Sequence, residues 1–344
     1  MLHSIQNAVK LVLPHKRKTN STSGWISFNA PCCHHNGETA DKRGRGGLVL
    51  NPDGGVSYHC FNCHYKASYI PGRHLSFKFR KLLRWLGADD GTIKRLVIDA
   101  IRIKELVAPE SIKEEEHEEI TFKKRALPAE AKDIRELATF YEIGNYQNVP
   151  EQFIDAVSYV TKDREINTVK YQFYWTPEKQ HSLSKRIIIP YYWKNEIIGY
   201  TARAVNDIIK PKYHNSNEPN YVFNVDNQLP DSKFVIVVEG PFDAMAIDGV
   251  AILGSECNEI QADIIDSLGR EIILVPDTDK AGSQLVDQAI EYGWSVSFPI
   301  WQETCKDVAT AVNVHGKLFT LKAILEAKET NKLKIELRKR KLYN

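Results

Sequence analysis

Phe234–Gly254, FVIVVEGPFDAMAIDGVAILG, and Glu271–Gly282, EIILVPDTDKAG, are the stretches that decide the fold. Each contains an apolar run of strand length, Phe234–Val238 and Ile272–Val275. The first run ends on Glu239 and the second on Asp277 and Asp279. Between and after them, helical stretches (FDAMAID, EIQADIIDSLG, AGSQLVDQAIEYG) alternate with strand-like ones (VAILG, SVSFPIW). That alternation predicts a mainly parallel sheet covered by helices, with its site at the carboxyl ends of the strands. Glu239, Asp277 and Asp279 stand at that rim, and Asp243 follows Glu239 by one helical turn. Gly240 lets the backbone turn sharply beside Glu239. Carboxylates gathered on one rim repel and raise one another's pKa. A divalent cation relieves that cost, and oxygen-only ligands suit Mg²⁺ or Mn²⁺.

Upstream, RIIIPYYW and EIIGYTARAV are joined by the polar pair Lys194-Asn195, a hairpin signal. Arg186, Arg203, Lys212 and Tyr213 lie on or just after this hairpin. Such residues can hold phosphates and stack on bases beside a metal. Tyr200 is a second candidate for stacking.

Near the amino terminus, APCCHHNGE and HCFNCHYKA carry a second constellation. Cys60-x-x-Cys63 is a knuckle that presents two thiolates to one Zn²⁺, and Cys32-x-x-His35 supplies a matching pair. Cys33 and His34 are adjacent alternatives. His59 and His64 read as structural or surface residues, and Cys257 and Cys305 as core thiols. Four of the six cysteines fall within Cys32–Cys63. In a reducing compartment such a cluster reads as a metal site rather than a disulfide framework.

The remaining organisation follows from composition. Residues 1–75 form a Gly-, Cys- and His-rich β module. FRKLLRWLG and TIKRLVIDAI carry apolar residues at helical spacing, and 107–128, with KEEEHEE, reads as a solvated linker. PAEAKDIRELATFYEIG opens the next domain as a helix. The expected division is a zinc-binding domain (1–75), a helical segment and charged linker (76–128), a basic α+β subdomain (129–231) and an α/β subdomain with a basic tail (232–344). Hydrophobic residues make up 42% of the chain, enough for real cores, while the net charge of +2 makes any nucleic-acid surface a matter of local clustering. No apolar run reaches the ~20 residues that cross a bilayer, and the first residues carry no secretory pattern, so a cytoplasmic protein is expected. No GxxxxGK[ST] loop occurs in this sequence, so no fused nucleotide-driven motor is visible in it.

VVEGPFDA followed by VPDTDKAG resembles the Toprim signature of bacterial-type primases, topoisomerases and some nucleases. CCHHNGE with GGVSYHCFNCHYKA resembles the zinc domain of primases, that of T4-type bacteriophage primases in particular. The order R-I-x-x-P, G-x-x-x-R, P-K-Y resembles the basic subdomain of their RNA polymerase domain. Together these imply an α/β multi-domain protein: a zinc-ribbon-like domain, a basic subdomain and a Rossmann-like Toprim subdomain. They imply a DNA primase that makes short RNA primers on single-stranded DNA from ribonucleoside triphosphates, beside a separate hexameric helicase. Its catalytic group would be Glu239, Asp277 and Asp279 with Asp243, holding two Mg²⁺ or Mn²⁺. Arg186, Arg203, Lys212 and Tyr213 would meet template or nucleotide, and Cys32, His35, Cys60 and Cys63 would hold one structural Zn²⁺. Lys306-Asp307 resembles the family's later K-D-x-N-[DE] element, and the residues that follow depart from it. The alternatives are another Toprim enzyme, nuclease or topoisomerase-like, and a non-catalytic zinc-dependent DNA-binding replication factor. The intact E-G-x-x-D-A and D-x-D argue for catalysis. The basic tail LKIELRKRKLYN fits a helicase contact, a DNA contact or a solvated helix end.

Overall fold

The computed structural model describes residues 3–106, 120–143, 150–177, 183–216, 218–301 and 305–343. The charged run at 113–119 of the expected linker lies outside the described residues. The chain forms two compact units, Met1–Glu118 with Asn258–Glu271, and Glu119–Cys257 with Ile272–Asn344.

The first unit opens with α1 (Ser4–Val12), which buries Ile5 and Val9 on one face, a helix not anticipated from its short apolar stretch. Five antiparallel strands follow: β1 (Arg17–Thr19), β2 (Ile26–Phe28), β3 (Gly46–Leu50), β4 (Val56–Cys60) and β5 (Lys66–Tyr69), paired in chain order. In β4 alternate residues Val56, Tyr58 and Cys60 are buried, the period-2 pattern of a sheet with one covered face. Gly46 is required there, because a Cβ would lie 2.7 Å from that of Ala30. Ser76 accepts a hydrogen bond from the Phe79 amide and caps α2 (Phe77–Trp85). In α3 (Asp90–Leu106), Ile93, Leu96, Ala100 and Ile103 recur at helical spacing and are buried in the same core as Phe79, Leu82 and Leu83.

In the second unit, α4 (Ile134–Ile143) and α5 (Glu151–Ser158) accompany a sheet of β6 (Lys132–Asp133), β7 (Tyr174–Trp175), β8 (Arg186–Trp193), β9 (Glu196–Ala204) and β10 (Tyr213–Ser216), in the order β10-β9-β8-β7-β6. The expected hairpin is present, with Trp193 opposite Glu196. Lys194 and Asn195 have φ of 51° and 65°, the two left-handed positions whose twist matches paired strands. Residues 120–128, expected to be solvated linker, are held against this sheet. Phe122 packs edge-on to Trp193 at 5.0 Å, and the Arg125 amide donates to the Ile197 carbonyl at 2.8 Å.

The other sheet of this unit contains β11 (Phe234–Val238), β12 (Val250–Ala251), β13 (Glu271–Leu274), β14 (Ser295–Ser297) and β15 (Lys328–Glu329), in the order β12-β11-β13-β14-β15. The β11–β12 and β13–β14 pairs are parallel, and β15 joins antiparallel. With it go α6 (Pro241–Ile247), α8 (Lys280–Tyr292), α9 (Val308–His315), α10 (Lys317–Glu326) and α11 (Lys332–Tyr343). Ile187, Ile189, Ile236, Val238, Phe242 and Ile273 share one core. The chain is therefore a multi-sheet α/β protein, as the resemblance implied. The helix between β12 and β13, α7 (Glu259–Ser267), belongs to the first unit. There Arg80 pairs with Asp266, each side chain only 6% exposed, and Lys81 reaches Glu259 at 2.9 Å. Among the described residues no helix is long and apolar enough to cross a membrane.

Candidate functional sites

The cysteine cluster lies in the first unit. Cys32 precedes a short turn of helix at Cys33–Asn36, and Cys60 ends β4 with Cys63 in the turn after it. One ligand atom from each of Cys32, Cys33, Cys60 and Cys63 lies within 4.8 Å of all the others. Cys32 Sγ is 3.4 Å from Cys63 Sγ, and Cys33 Sγ is 3.6 Å from Cys60 Sγ. A tetrahedral ion with bonds of about 2.3 Å to sulfur needs S···S separations near this, so the set fits Zn²⁺. This corrects the expected Cys3His set. His35 is stacked on Trp85 instead, with centroids 4.7 Å apart and rings 7° from parallel, and Cys33 takes its place. Donors surround the sulfurs: Tyr58 Oη lies 3.3 Å from Cys32 Sγ, Asn62 Nδ2 donates to Cys33 Sγ at 3.3 Å, and the Asn62 amide donates to Cys60 Sγ at 3.4 Å. Burial pushes the Cys33 thiol up to about 11 and raises Cys32 further, which a bound dication would reverse.

The carboxylates lie in the second unit, and all four come from the ends that the sequence indicated. Glu239 follows β11, Asp243 sits in the first turn of α6, Asp277 follows β13, and Asp279 caps α8. Glu239 Oε1 accepts the Asp277 amide at 3.3 Å, which ties the two strand ends together. Asp243 Oδ1 accepts the Ala309 amide at 2.9 Å, and Asp279 Oδ1 accepts the Gly282 amide at 2.9 Å. Gly282 has no alternative: a Cβ there would stand 1.9 Å from the Asp277 carbonyl oxygen. Burial, then the neighbouring acids, push Glu239, Asp243 and Asp277 each up to about 7. Partly dehydrated carboxyl oxygens at one rim are donors of the hard type that suits Mg²⁺ or Mn²⁺. Asp307 caps α9 by accepting the Thr310 amide at 2.7 Å, and its charge raises both Asp243 and Asp277. It is thus electrostatically part of the cluster.

The basic residues divide into two roles. Arg186 was expected to meet template or nucleotide, but it is 1% exposed. Its guanidinium donates to the backbone carbonyls of Pro211 at 2.6 Å and Lys212 at 3.2 Å. Its length lets it reach from β8 across β9 to hold the backbone just before β10, at Pro211 and Lys212. Arg203 is also buried; Nε donates to Tyr159 Oη at 3.0 Å, and its guanidinium covers the Tyr213 ring at 4.9 Å. One face of Tyr213 is therefore already occupied. Among the described residues Arg203 Nη1 has no hydrogen-bond partner. Burial and the charge of Arg203 hold the Lys212 ammonium below its usual range.

Arg164 escaped notice in the sequence. Nε donates to Tyr159 Oη at 3.0 Å, its guanidinium lies 5.0 Å from the Phe242 ring centre, and its charge lowers the pKa of Asp243. Nothing local marks it, because it reaches the site from a different part of the chain. Tyr343 was missed for the same reason. Its hydroxyl donates to the Asp277 carbonyl at 2.7 Å, and burial together with Glu239, Asp279 and Asp277 keeps its phenol protonated.

A glutamate just after one sheet strand and an Asp-x-Asp just after its neighbour thus share one rim, with the Arg164 guanidinium near enough to lower the pKa of Asp243. Residues 236–311 match the family model described as Toprim-like. Over 148 residues the chain is 26% identical to the DNA primase of Mycoplasma genitalium, covering 38% of this chain and 24% of that protein. The chain thus matches less than two thirds of that relative's length. Among solved structures, the RNA polymerase domain of the Mycobacterium tuberculosis primase aligns at a TM-score of 0.46 and 17% identity, over 57% of this chain and 83% of that one. The Aquifex aeolicus primase, with zinc-binding and RNA polymerase domains, aligns at 0.44 and 16% identity, over 95% of this chain and 85% of that one.

Proposed function

We propose that this protein is a DNA primase, a nucleotidyltransferase that makes short RNA primers on single-stranded DNA during replication. One observation carries this reading: a Toprim-type carboxylate rim, a buried basic shell and a zinc-type cysteine cluster belong to the same chain. The similarity to the Mycoplasma genitalium primase supports it. Glu239, Asp277 and Asp279, with Asp243 behind them, would hold two Mg²⁺ or Mn²⁺ ions. Bound metal would supply activation of the attacking 3′-hydroxyl and charge neutralisation of the leaving pyrophosphate. Arg203, whose Nη1 has no partner among the described residues, and Lys212 and Arg164 would bind the triphosphate or template phosphates. Arg186 would position Lys212 rather than touch substrate. Cys32, Cys33, Cys60 and Cys63 would hold one Zn²⁺ and fix the amino-terminal sheet as a template-reading module. The division at 75, 128 and 231, the T4-type phage class, a separate hexameric helicase and action in the cytoplasm belong to the same reading.

The test is purified protein with single-stranded templates of varied sequence, ribonucleotides and Mg²⁺ or Mn²⁺, with and without a replicative helicase. Short template-dependent oligoribonucleotides are expected, reduced at least about 100-fold by Asp277→Asn, a loss of about 2.7 kcal/mol in transition-state stabilisation. Cleavage of the template without synthesis would favour a nuclease. Binding without either reaction would reduce the protein to a replication factor.

A further inference from the structure

We infer that Tyr343, in the last turn of α11, is a positioning residue of the carboxylate site, holding through its hydroxyl the strand end that presents Asp277 and Asp279. The inference rests on the metal-binding reading of that site.

Asp277 is constrained on three sides. Its amide donates to Glu239 Oε1 at 3.3 Å. Its carbonyl oxygen faces Gly282, where no side chain could fit. The same oxygen accepts the Tyr343 hydroxyl at 2.7 Å. The peptide planes on both sides of Asp277 are therefore held, and those planes set where both aspartates point. The restraint matters because like charges meeting at one rim push it open when no cation is bound.

The approach of α11 to this point is built rather than incidental. Ile335, 1% exposed, anchors the helix. Lys339 Nζ lies 2.6 Å from each carboxylate oxygen of Asp287 on α8. Helix α8 is also the one Asp279 caps, so a single element fixes the metal loop at its start and α11 along its length. Leu342 and Tyr343 then line a small recess with Asp277, Trp301, Lys306 and Asp307.

The experiment titrates Mn²⁺ into the full chain by calorimetry and measures Tm alongside. Tyr343→Phe removes only the hydroxyl. Leu342→Ala alters the same recess without a bond to Asp277, and Asp277→Asn removes a ligand. Loss of one hydrogen bond predicts Mn²⁺ binding about threefold to tenfold weaker in Tyr343→Phe, with Tm within about 2 °C of wild type. Leu342→Ala should bind as wild type does. Wild-type affinity in Tyr343→Phe beside a weakened Asp277→Asn would overturn the positioning role and leave the metal site standing. Equal weakening in Leu342→Ala and Tyr343→Phe, tracking a falling Tm, would overturn it as mere packing. No Mn²⁺ binding by wild type, or none lost in Asp277→Asn, would remove the metal site and this inference together.

Discussion

Glu239, Asp243 and Asp277 are carboxyls whose ionisation burial holds near pH 7, well above the usual carboxylate range. The folded chain thus keeps protons that the unfolded chain releases between about pH 4 and pH 7. Their contribution to stability is full below the unfolded values and is lost as pH rises through the folded ones. A cation in the site reverses the sign, because it favours the ionised form. Mn²⁺ affinity is therefore expected to rise from pH 5.5 to about 7.5 and then level, with protons released on binding at pH 6. Asp243→Asn keeps an acceptor for the Ala309 amide but removes a buried charge. It should raise the Tm of the metal-free protein at pH 8 by about 2–4 °C, change little at pH 5, and weaken Mn²⁺ binding. Calorimetry across this pH range decides it; an affinity that stays flat would refute the carboxyl assignment. At this scale the sequence was most informative where an acid directly follows an apolar run, because the strand's end and the acid's place are then one local fact. Arg164 and Tyr343 were illegible because only the folded chain brings them to those acids.

The turn around Cys32 shows the limit of spacing as a guide at the scale of the element. Cys32, Cys33, His34 and His35 are four consecutive donors, and the knuckle at Cys60 and Cys63 can be matched by more than one pair of them. The choice falls to neighbours distant in sequence. Trp85 of α2 offers a flat surface that takes His35, while Asn62 donates to Cys33 Sγ. Purified Cys33→Ser is accordingly expected to lose its zinc, and His35→Ala to retain one Zn²⁺ per chain with a modest fall in stability from the lost stacking. Metal analysis of the two variants separates the sets, and zinc lost from His35→Ala but kept in Cys33→Ser would restore the Cys3His pattern. By contrast the β8–β9 hairpin was legible outright. Its two-residue turn and the apolar runs on either side bring the strands together, with one register shift between Tyr191 and Tyr192, and both turn residues adopt the left-handed backbone that such a turn needs.

Across the whole molecule, the alternation of strands and helices announced the second unit's α/β sheet, but α7 did not show its allegiance. In sequence it is the crossover between β12 and β13, yet it belongs to the unit that carries the cysteine cluster. Its acids explain this: Asp266 meets Arg80 and Glu259 meets Lys81, pairs that no periodicity reveals. Each unit has its own apolar core; the cysteine cluster lies in the first and the carboxylate rim in the second. Removing zinc should therefore unfold the first unit and free α7 as a loop between β12 and β13. Closing such a loop costs the second unit on the order of 2 kcal/mol, which its larger core can bear. Scanning calorimetry of the full chain is expected to show two transitions. A thiol-competing zinc chelator should lower one of them by 10 °C or more, to the order of a structural zinc's contribution. Mn²⁺ should raise the other, and should still bind after zinc is gone. A single transition that either metal shifts as a whole would mean that the chain crossings at residues 257–258 and 271–272 couple the units into one cooperative body.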